Sequence, residues 1–182
     1  MRKDFGKKTW MFPMPVLILG TYDKDGVPNA MNAAWGGVYD YNKVTVSLSE
    51  HKTTENFMLK KAFTLSFATK KTVEASDYVG IVSGHKVPNK VEKAGLHAFK
   101  ARHVDAPLFE EYPLTLECVV ESFENGTLIG EIINVSADES ILTDGKIDPD
   151  KLEAIAFDPV NNKYLLVKGA IADAFKVGLN IK

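Results

Sequence analysis

Three polar clusters hold most of the side chains in this sequence that are able to do chemistry. In the first, Asn29-Ala30-Met31-Asn32-Ala33-Ala34-Trp35, two carboxamides and an indole stand among small residues. A flat ligand can approach such a backbone closely, with the amides bonding its edge and the indole offering a stacking face. As a strand leaving a turn, the same stretch needs no ligand. The second cluster, Ser47-Leu48-Ser49-Glu50-His51-Lys52-Thr53-Thr54-Glu55-Asn56, runs from a strand into a helix start. Unpaired amides, the Lys52 cation and the Thr53 and Thr54 hydroxyls converge there, which suits a phosphate. An ordinary capped helix with solvated charges uses the same residue types. The third cluster, Gly80-Ile81-Val82-Ser83-Gly84-His85-Lys86-Val87-Pro88-Asn89-Lys90, is a glycine-punctuated loop rich in basic groups and able to wrap an anion. Each cluster alone is commonplace; their order and spacing set them apart.

Motifs for other chemistries are missing. No G-x-G-x-x-G follows a strand, and there is no P-loop, H-E-x-x-H or G-x-S-x-G. The histidines, His51, His85, His97 and His103, show no close metal-ligand spacing, so no metal is expected. The carboxylates are scattered, which leaves a paired-carboxylate hydrolase without support. The single cysteine, Cys118, excludes an intrachain disulfide and any Cys-x-x-Cys pair. It reads as a small apolar core residue in a reducing, cytoplasmic compartment.

The elements that must position these clusters speak mostly in period two. Val44, Val46 and Leu48 alternate with polar residues, as do Phe63, Leu65 and Phe67, and Leu114, Leu116, Cys118 and Val120. The last of these runs ends at Asn125-Gly126, a hairpin signal because both positions tolerate positive φ, and a return strand is expected over Thr127 to Ala137. Asp23 to Gly26 separates a strand over Val16 to Tyr22 from a run beginning at Val27, and a closing strand is expected over Lys163 to Ala172. Short helices are expected from a Thr53 or Thr54 cap to Lys60, over Thr72 to Val79, and over Asn89 to Ala94 before Gly95. The sum is a mainly β protein, an antiparallel barrel with short peripheral helices.

With 182 residues the chain suits one domain, 1–182, and Lys+Arg 22 against Asp+Glu 24 argues against a nucleic-acid partner. The apolar run Met11 to Gly20 is broken by Pro13 and Pro15 and is too short to span a membrane, so neither a signal peptide nor a membrane partner is expected.

Taken in order, Pro15-Val16-Leu17-Ile18-Leu19-Gly20-Thr21, Gly26 to Trp35, His51 to Asn56 and Gly80 to Gly84 resemble the flavin reductase-like family of FMN-binding split barrels, including its flavoredoxin-like members. Weaker patches at Leu116-Glu117-Cys118, Gly130-Glu131-Ile132 and Tyr164 to Gly169 extend the resemblance over most of the chain. It implies a split barrel that dimerises and holds one FMN per subunit near the dimer interface. Asn29, Asn32 and Trp35, with Ala30 and Met31 between them, would border the flavin and its ribityl chain, and Ser47, Leu48 and Ser49 would lie along the ring. Thr53, with Lys52 and Thr54, would take the phosphate; Ser83, Gly84 and Lys90 would close the site, and Tyr164 would stand near the ring. The sequence departs from many relatives at Asn125-Gly126-Thr127, where they carry a histidine shortly before the Gly-Glu pair. The implied activity is hydride transfer from NADH or NADPH to bound FMN, with no side chain acting as acid or base. Lys86 and Lys90 would meet the nicotinamide dinucleotide's pyrophosphate. The alternative from another class is a flavoredoxin-type electron carrier that keeps its FMN and exchanges electrons with proteins; a third is a ligand-binding barrel without redox work.

Overall fold

The structure, a computed structural model, describes residues 1–181. Its strands are β1 (Met14–Pro15), β2 (Leu17–Tyr22), β3 (Pro28–Ala33), β4 (Gly36–Asp40), β5 (Lys43–Ser47), β6 (Ala62–Phe67), β7 (Ala98–Lys100), β8 (Pro107–Phe109), β9 (Leu114–Glu124) and β10 (Thr127–Ala137). Four short strands follow: β11 (Leu142–Thr143), β12 (Lys146–Ile147), β13 (Ile155–Asp158) and β14 (Lys163–Leu166). The helices are α1 (Lys52–Lys60), α2 (Val73–Ile81), α3 (Lys90–Lys93) and α4 (Pro149–Leu152).

Seven strands form one antiparallel sheet in the order β3-β2-β6-β9-β10-β5-β4. Strands β3 and β4 are its two edges, yet only Ala34 and Trp35 separate them in the chain. So short a link forces the edges together, and the sheet curls into a barrel whose seam lies at Trp35. Period-two alternation sorts the side chains of β2 between two cores. Leu17 and Leu19 face the barrel interior with Val46, Phe63, Leu65, Leu116, Cys118 and Leu128. Val16 and Ile18 face outward into a second core with Val79 of α2, Val91 of α3 and Phe109. Helix α1 places Phe57 in the inner core, its ring edge-on to Phe123 with centroids 5.2 Å apart. Cys118 is fully buried there, as the alternation implies, and burial pushes its thiol up to about 12.

The Asn125-Gly126 hairpin forms as expected, with φ of 50° and 77° at its two positions. The final strand is shorter than the expected Lys163 to Ala172. Pairing of β14 with β13 runs from Asp158↔Lys163 to Ile155↔Leu166, and β13 offers no further residue to the sheet. Helix α1 starts two residues earlier than a Thr53 cap would allow, because the Thr54 hydroxyl bonds both N and O of His51 and makes His51 the capping residue. Strand β4 has no alternating signature and was not expected; its Gly36-Gly37 start and exposed residues belong to a sheet edge.

Candidate functional site

A groove follows the seam, made of three adjoining hollows that all touch Asn32. The first, about 220 Å³, lies between the end of β3, the start of α1 and the loop after α2. Its lining includes Asn29, His51, Lys52, Thr53, Ser83, Gly84 and Lys90. Asn29 and Thr53 are buried and joined by a 2.8 Å bond from the carboxamide Nδ2 to the hydroxyl Oγ1. The amides of Lys52 and Thr53 open α1 and have no acceptor within the helix. Lys90 is only 3% exposed, and its Nζ donates to the carbonyls of Val79 (3.1 Å) and Val82 (3.0 Å) at the C-terminal end of α2. Among the described residues no carboxylate pairs with it. Burial, aided by the nearby Lys52 charge, brings its ammonium down to about 8. Lys52 is held 3.1 Å from Asp23, and its charge together with the Val27 and Asp25 amides outweighs burial to keep that carboxyl below its usual range. The hollow is therefore a small cationic chamber with one buried and one half-buried lysine.

Close backbone approach shapes its wall. A Cβ on Gly84 would stand 2.5 Å from Asn29 Oδ1 and 3.2 Å from Lys52 Cδ, and one on Gly80 would stand 2.9 Å from Asn32 Cβ. Both positions admit only glycine while Asn29 and Asn32 keep their places.

The second hollow, about 400 Å³, is lined by Met31, Asn32, Trp35, Ser47, Leu48, Ser49 and the Asn125-Gly126 turn. The backbone closes it: Ser47 N donates to Trp35 O and Leu48 N donates to Gly126 O, both at 2.7 Å. The third, about 260 Å³, is walled by Val16, Asn32, Trp35, Asp77, Ile81, Phe157 and Tyr164. Tyr164 donates its hydroxyl to Asp77 at 2.7 Å. Burial and that carboxylate push the Tyr164 phenol up to about 12, so it stays a neutral donor across the physiological range. Asn32 donates to Ser76 O at 3.0 Å, which ties β3 to α2. Trp35 is 55% exposed and rims both the second and third hollows. The arrangement can hold an elongated molecule with an anion at one end and a planar body along the seam.

Of the residues singled out from sequence, Asn29, Met31, Asn32, Trp35, Ser47, Leu48, Ser49, Lys52, Thr53, Ser83, Gly84, Lys90 and Tyr164 line this groove. Two do not. Ala30 is fully buried in the outer core against α2, and Thr54 spends its hydroxyl on His51. Lys90 cannot meet a dinucleotide at the rim, since it is buried beneath α2, whereas Lys86 is exposed. Asp77 was missed because its partner Tyr164 is remote in the chain, and Asn125-Gly126 was read only as a turn.

Two other features lie elsewhere. A hollow of about 660 Å³ between Phe99, Arg102, Tyr112 and Asp138 shares no residue with the groove. Its buried carboxylate, Glu117, already accepts from His103 N at 2.7 Å and Asn134 Nδ2 at 2.9 Å. His97, Glu110 and Glu111 bring three ligand-type atoms within 4.8 Å of one another at the surface, a meeting no sequence spacing announced. Among the described residues no helix is long and apolar enough to cross a membrane.

The profile of the flavin reductase like domain matches residues 9–172. Flavoredoxin of Desulfovibrio vulgaris (Miyazaki F) superimposes with a TM-score of 0.93 at 37% identity, covering 98% of this chain and 100% of its own. Flavoredoxin from Methanosarcina acetivorans gives 0.88 at 29% identity over 98% and 97%. The FMN-binding domain of a flavin reductases-like enzyme from Shewanella baltica OS155 gives 0.78 at 20% over 87% and 88%, a likeness of fold. No curated protein sequence matches the chain. With the domain profile spanning most of its length and a seven-stranded split barrel beneath it, the chain belongs to the flavin reductase-like family of FMN-binding proteins.

Proposed function

We propose that the seam groove holds FMN, with its phosphate in the Lys52–Lys90 chamber and its ring beside Trp35, and that the chain, 1–182 as one domain, acts as a homodimeric oxidoreductase reduced by NADH or NADPH. The observation that carries this reading is the buried Lys90. An ammonium 3% exposed, held only by carbonyls, stands in a chamber with Lys52 and two free helix amides, and a phosphate dianion supplies the charge that chamber lacks. The fit favours FMN over FAD because the chamber is small, about 220 Å³, which suits a terminal phosphate.

When bound, FMN supplies the hydride-accepting ring, and the chain supplies placement and charge. Lys52, Lys90 and the Lys52 and Thr53 amides hold the phosphate, with Thr53 itself fixed by Asn29. Asn32 and Met31, which line both of the first two hollows, would hold the ribityl chain. Ser47 to Ser49 and the Trp35 indole, which line the second hollow, would hold the ring. Tyr164, oriented by Asp77, donates a hydroxyl in the third hollow, where an incoming ring needs one open face at roughly 3–3.5 Å. No side chain in the groove is required to exchange a proton with substrate.

A second reading, a flavoredoxin-type carrier with protein redox partners, is favoured by the end-to-end match with flavoredoxin at 37% identity. Both readings predict a yellow protein whose acid-released chromophore has the mass of FMN; recovery of FAD or of no flavin after FMN addition rejects both. Anaerobic stopped-flow mixing with NADH and with NADPH separates them. Rapid bleaching by either supports the oxidoreductase, and bleaching only by a low-potential protein donor supports the carrier.

A further inference from the structure

Alternation along β9 buries one acidic side chain on the outer face of the barrel. Leu116 and Cys118 point into the inner core, so Glu117 between them points out of it. The loop joining β7 to β8 lies against that outer face, and Glu117 is only 1% exposed. One of its oxygens accepts from the His103 amide at 2.7 Å and the other from the Asn134 carboxamide at 2.9 Å. Both donors are neutral, and among the described residues no Lys, Arg or His side chain pairs with this carboxylate. It has given up its water without gaining an opposite charge, which is costly. Each oxygen also keeps an acceptor direction unfilled, since a carboxylate offers about four and two are used.

The chain departs from regular pairing to build this place. β10 slips its register between Ile132 and Asn134, so Asn134 rather than Ile133 stands opposite Glu117. The bulge exchanges an apolar neighbour for a donor, and bulges serve to re-aim side chains beside functional sites. Glu117 lines the hollow of about 660 Å³ beside β7 and β8, a volume within the range of small-molecule sites. Phe99 and Leu108 stand directly opposite each other in that hairpin and line the same hollow, with Phe99 46% exposed. The fixed charges in the exposed lining balance, Lys100 and Arg102 against Glu110 and Asp138, and Glu117 is the one left over.

We propose that this hollow binds an organic ammonium, whose charged nitrogen donates to the unfilled acceptor directions of Glu117 and whose apolar body lies against Phe99 and Leu108. An anion meets the buried carboxylate at close range, and a neutral molecule leaves its charge unmatched. One carboxylate beside a carboxamide that donates offers too few oxygens for a metal ion. The hollow shares no residue with the seam groove, so it takes its ligand whether or not FMN is bound. The probe is phenethylammonium chloride, with 2-phenylethanol as the uncharged control of similar shape, each titrated into the full chain by calorimetry and followed by NMR. Phenethylammonium binds at least tenfold more tightly than 2-phenylethanol and shifts the resonances of the His103 amide and the Asn134 carboxamide. Glu117→Gln keeps the side chain's shape and removes its charge; it weakens phenethylammonium at least tenfold and leaves 2-phenylethanol and FMN binding as in the wild type. Phe99→Ala, at a half-exposed side chain outside the cores, weakens both probes and takes the place of Glu117→Gln if that variant fails to fold. Absence of phenethylammonium binding up to about 10 mM, equal affinity for the two probes, or shifts confined to the seam groove overturns the proposal. An affinity unchanged in a folded Glu117→Gln, or in Phe99→Ala, overturns it equally.

Discussion

Replacing Lys90 by methionine keeps most of the side chain's length and removes its charge, and the expected result is a change in how stability varies with pH. Burial holds the folded ammonium down to about 8, against an ordinary value of 10.5. A group whose folded value is depressed in this way binds fewer protons folded than unfolded between the two values. Stability therefore rises with pH across that window, and the cost of burying the charge is fully present below about 8. From linkage the cost is about 3 kcal/mol near pH 7 and about 2 near pH 9, a gain of roughly 1 kcal/mol. For a chain of this size that corresponds to about 2–4 °C in Tm. The Cys118 thiol, pushed up to about 12 by burial, works in the opposite sense above its ordinary value of 9.0, so the comparison belongs below that pH. The assay is a series of thermal melts of the FMN-free protein between about pH 7 and 9, wild type against Lys90→Met. Wild type gains stability relative to the variant as pH rises; with FMN bound the gain shrinks, because the phosphate dianion restores the lysine's proton. Parallel curves for the two proteins without FMN would refute the account of a charged amine held against carbonyls alone.

Gly84→Ala, which drives a methyl against Asn29 Oδ1, weakens FMN by roughly 5–150-fold, the range for one disrupted buried hydrogen bond of about 1–3 kcal/mol, as read by fluorescence titration of the flavin. Thr53→Ala with Lys52→Ala lowers FMN affinity by roughly 2–4 kcal/mol in the same titration, because charge-assisted bonds are lost and the Asn29 amide is left without its acceptor. Tyr164→Phe removes the donor to Asp77; the reduction rate or potential of the bound flavin changes while its occupancy does not, and unchanged values would exclude the third hollow from the redox face. Cys118 reacts with a thiol reagent only as the barrel unfolds globally, so its labelling rate follows the denaturant dependence of unfolding.

Much of this architecture could be read from the chain because local signals and tertiary burial agree. Leu17 and Leu19 alternate with Ile18 because the strand is covered on both faces, and Asn125-Gly126 turns where positive φ is needed. The three polar clusters converge beside the seam, the first along β3, the second between β5 and α1, and the third in the loop that follows α2. What escaped reading depends on partners distant in sequence. Strand β4 exists by pairing with β5 at an edge, without a buried face to mark it. The closing strand stops near Leu166 because the chain leading into its partner β13 turns away at Glu153, where φ is positive, and Ala154 bridges to Thr69, a limit invisible in the apolar run that continues past it. Thr54 has the right chemistry for a phosphate and is withdrawn by a bond to its own helix cap. Asp77 acquires its role only when Tyr164 arrives beside it.

The strand order also governs when the groove can come into being as the chain is synthesised. Nearly all of its lining has been made once Lys90 emerges, yet β5, paired early with β4, joins the rest of the sheet only through β10, with Ser47 opposite Thr127 and Lys43 opposite Glu131. Until then the early hairpins carry bare Val44, Val46, Leu17 and Leu19 and no closed barrel to bury them. Pairings between such separated segments form slowly, and exposed apolar strands in the interval invite association between nascent chains. The β9–β10 hairpin, local and eleven residues long on each side, is the element whose arrival ends that exposure. Substitutions that slow it, even far from the groove, will therefore lower the yield of soluble protein more than they lower the affinity of whatever protein does fold.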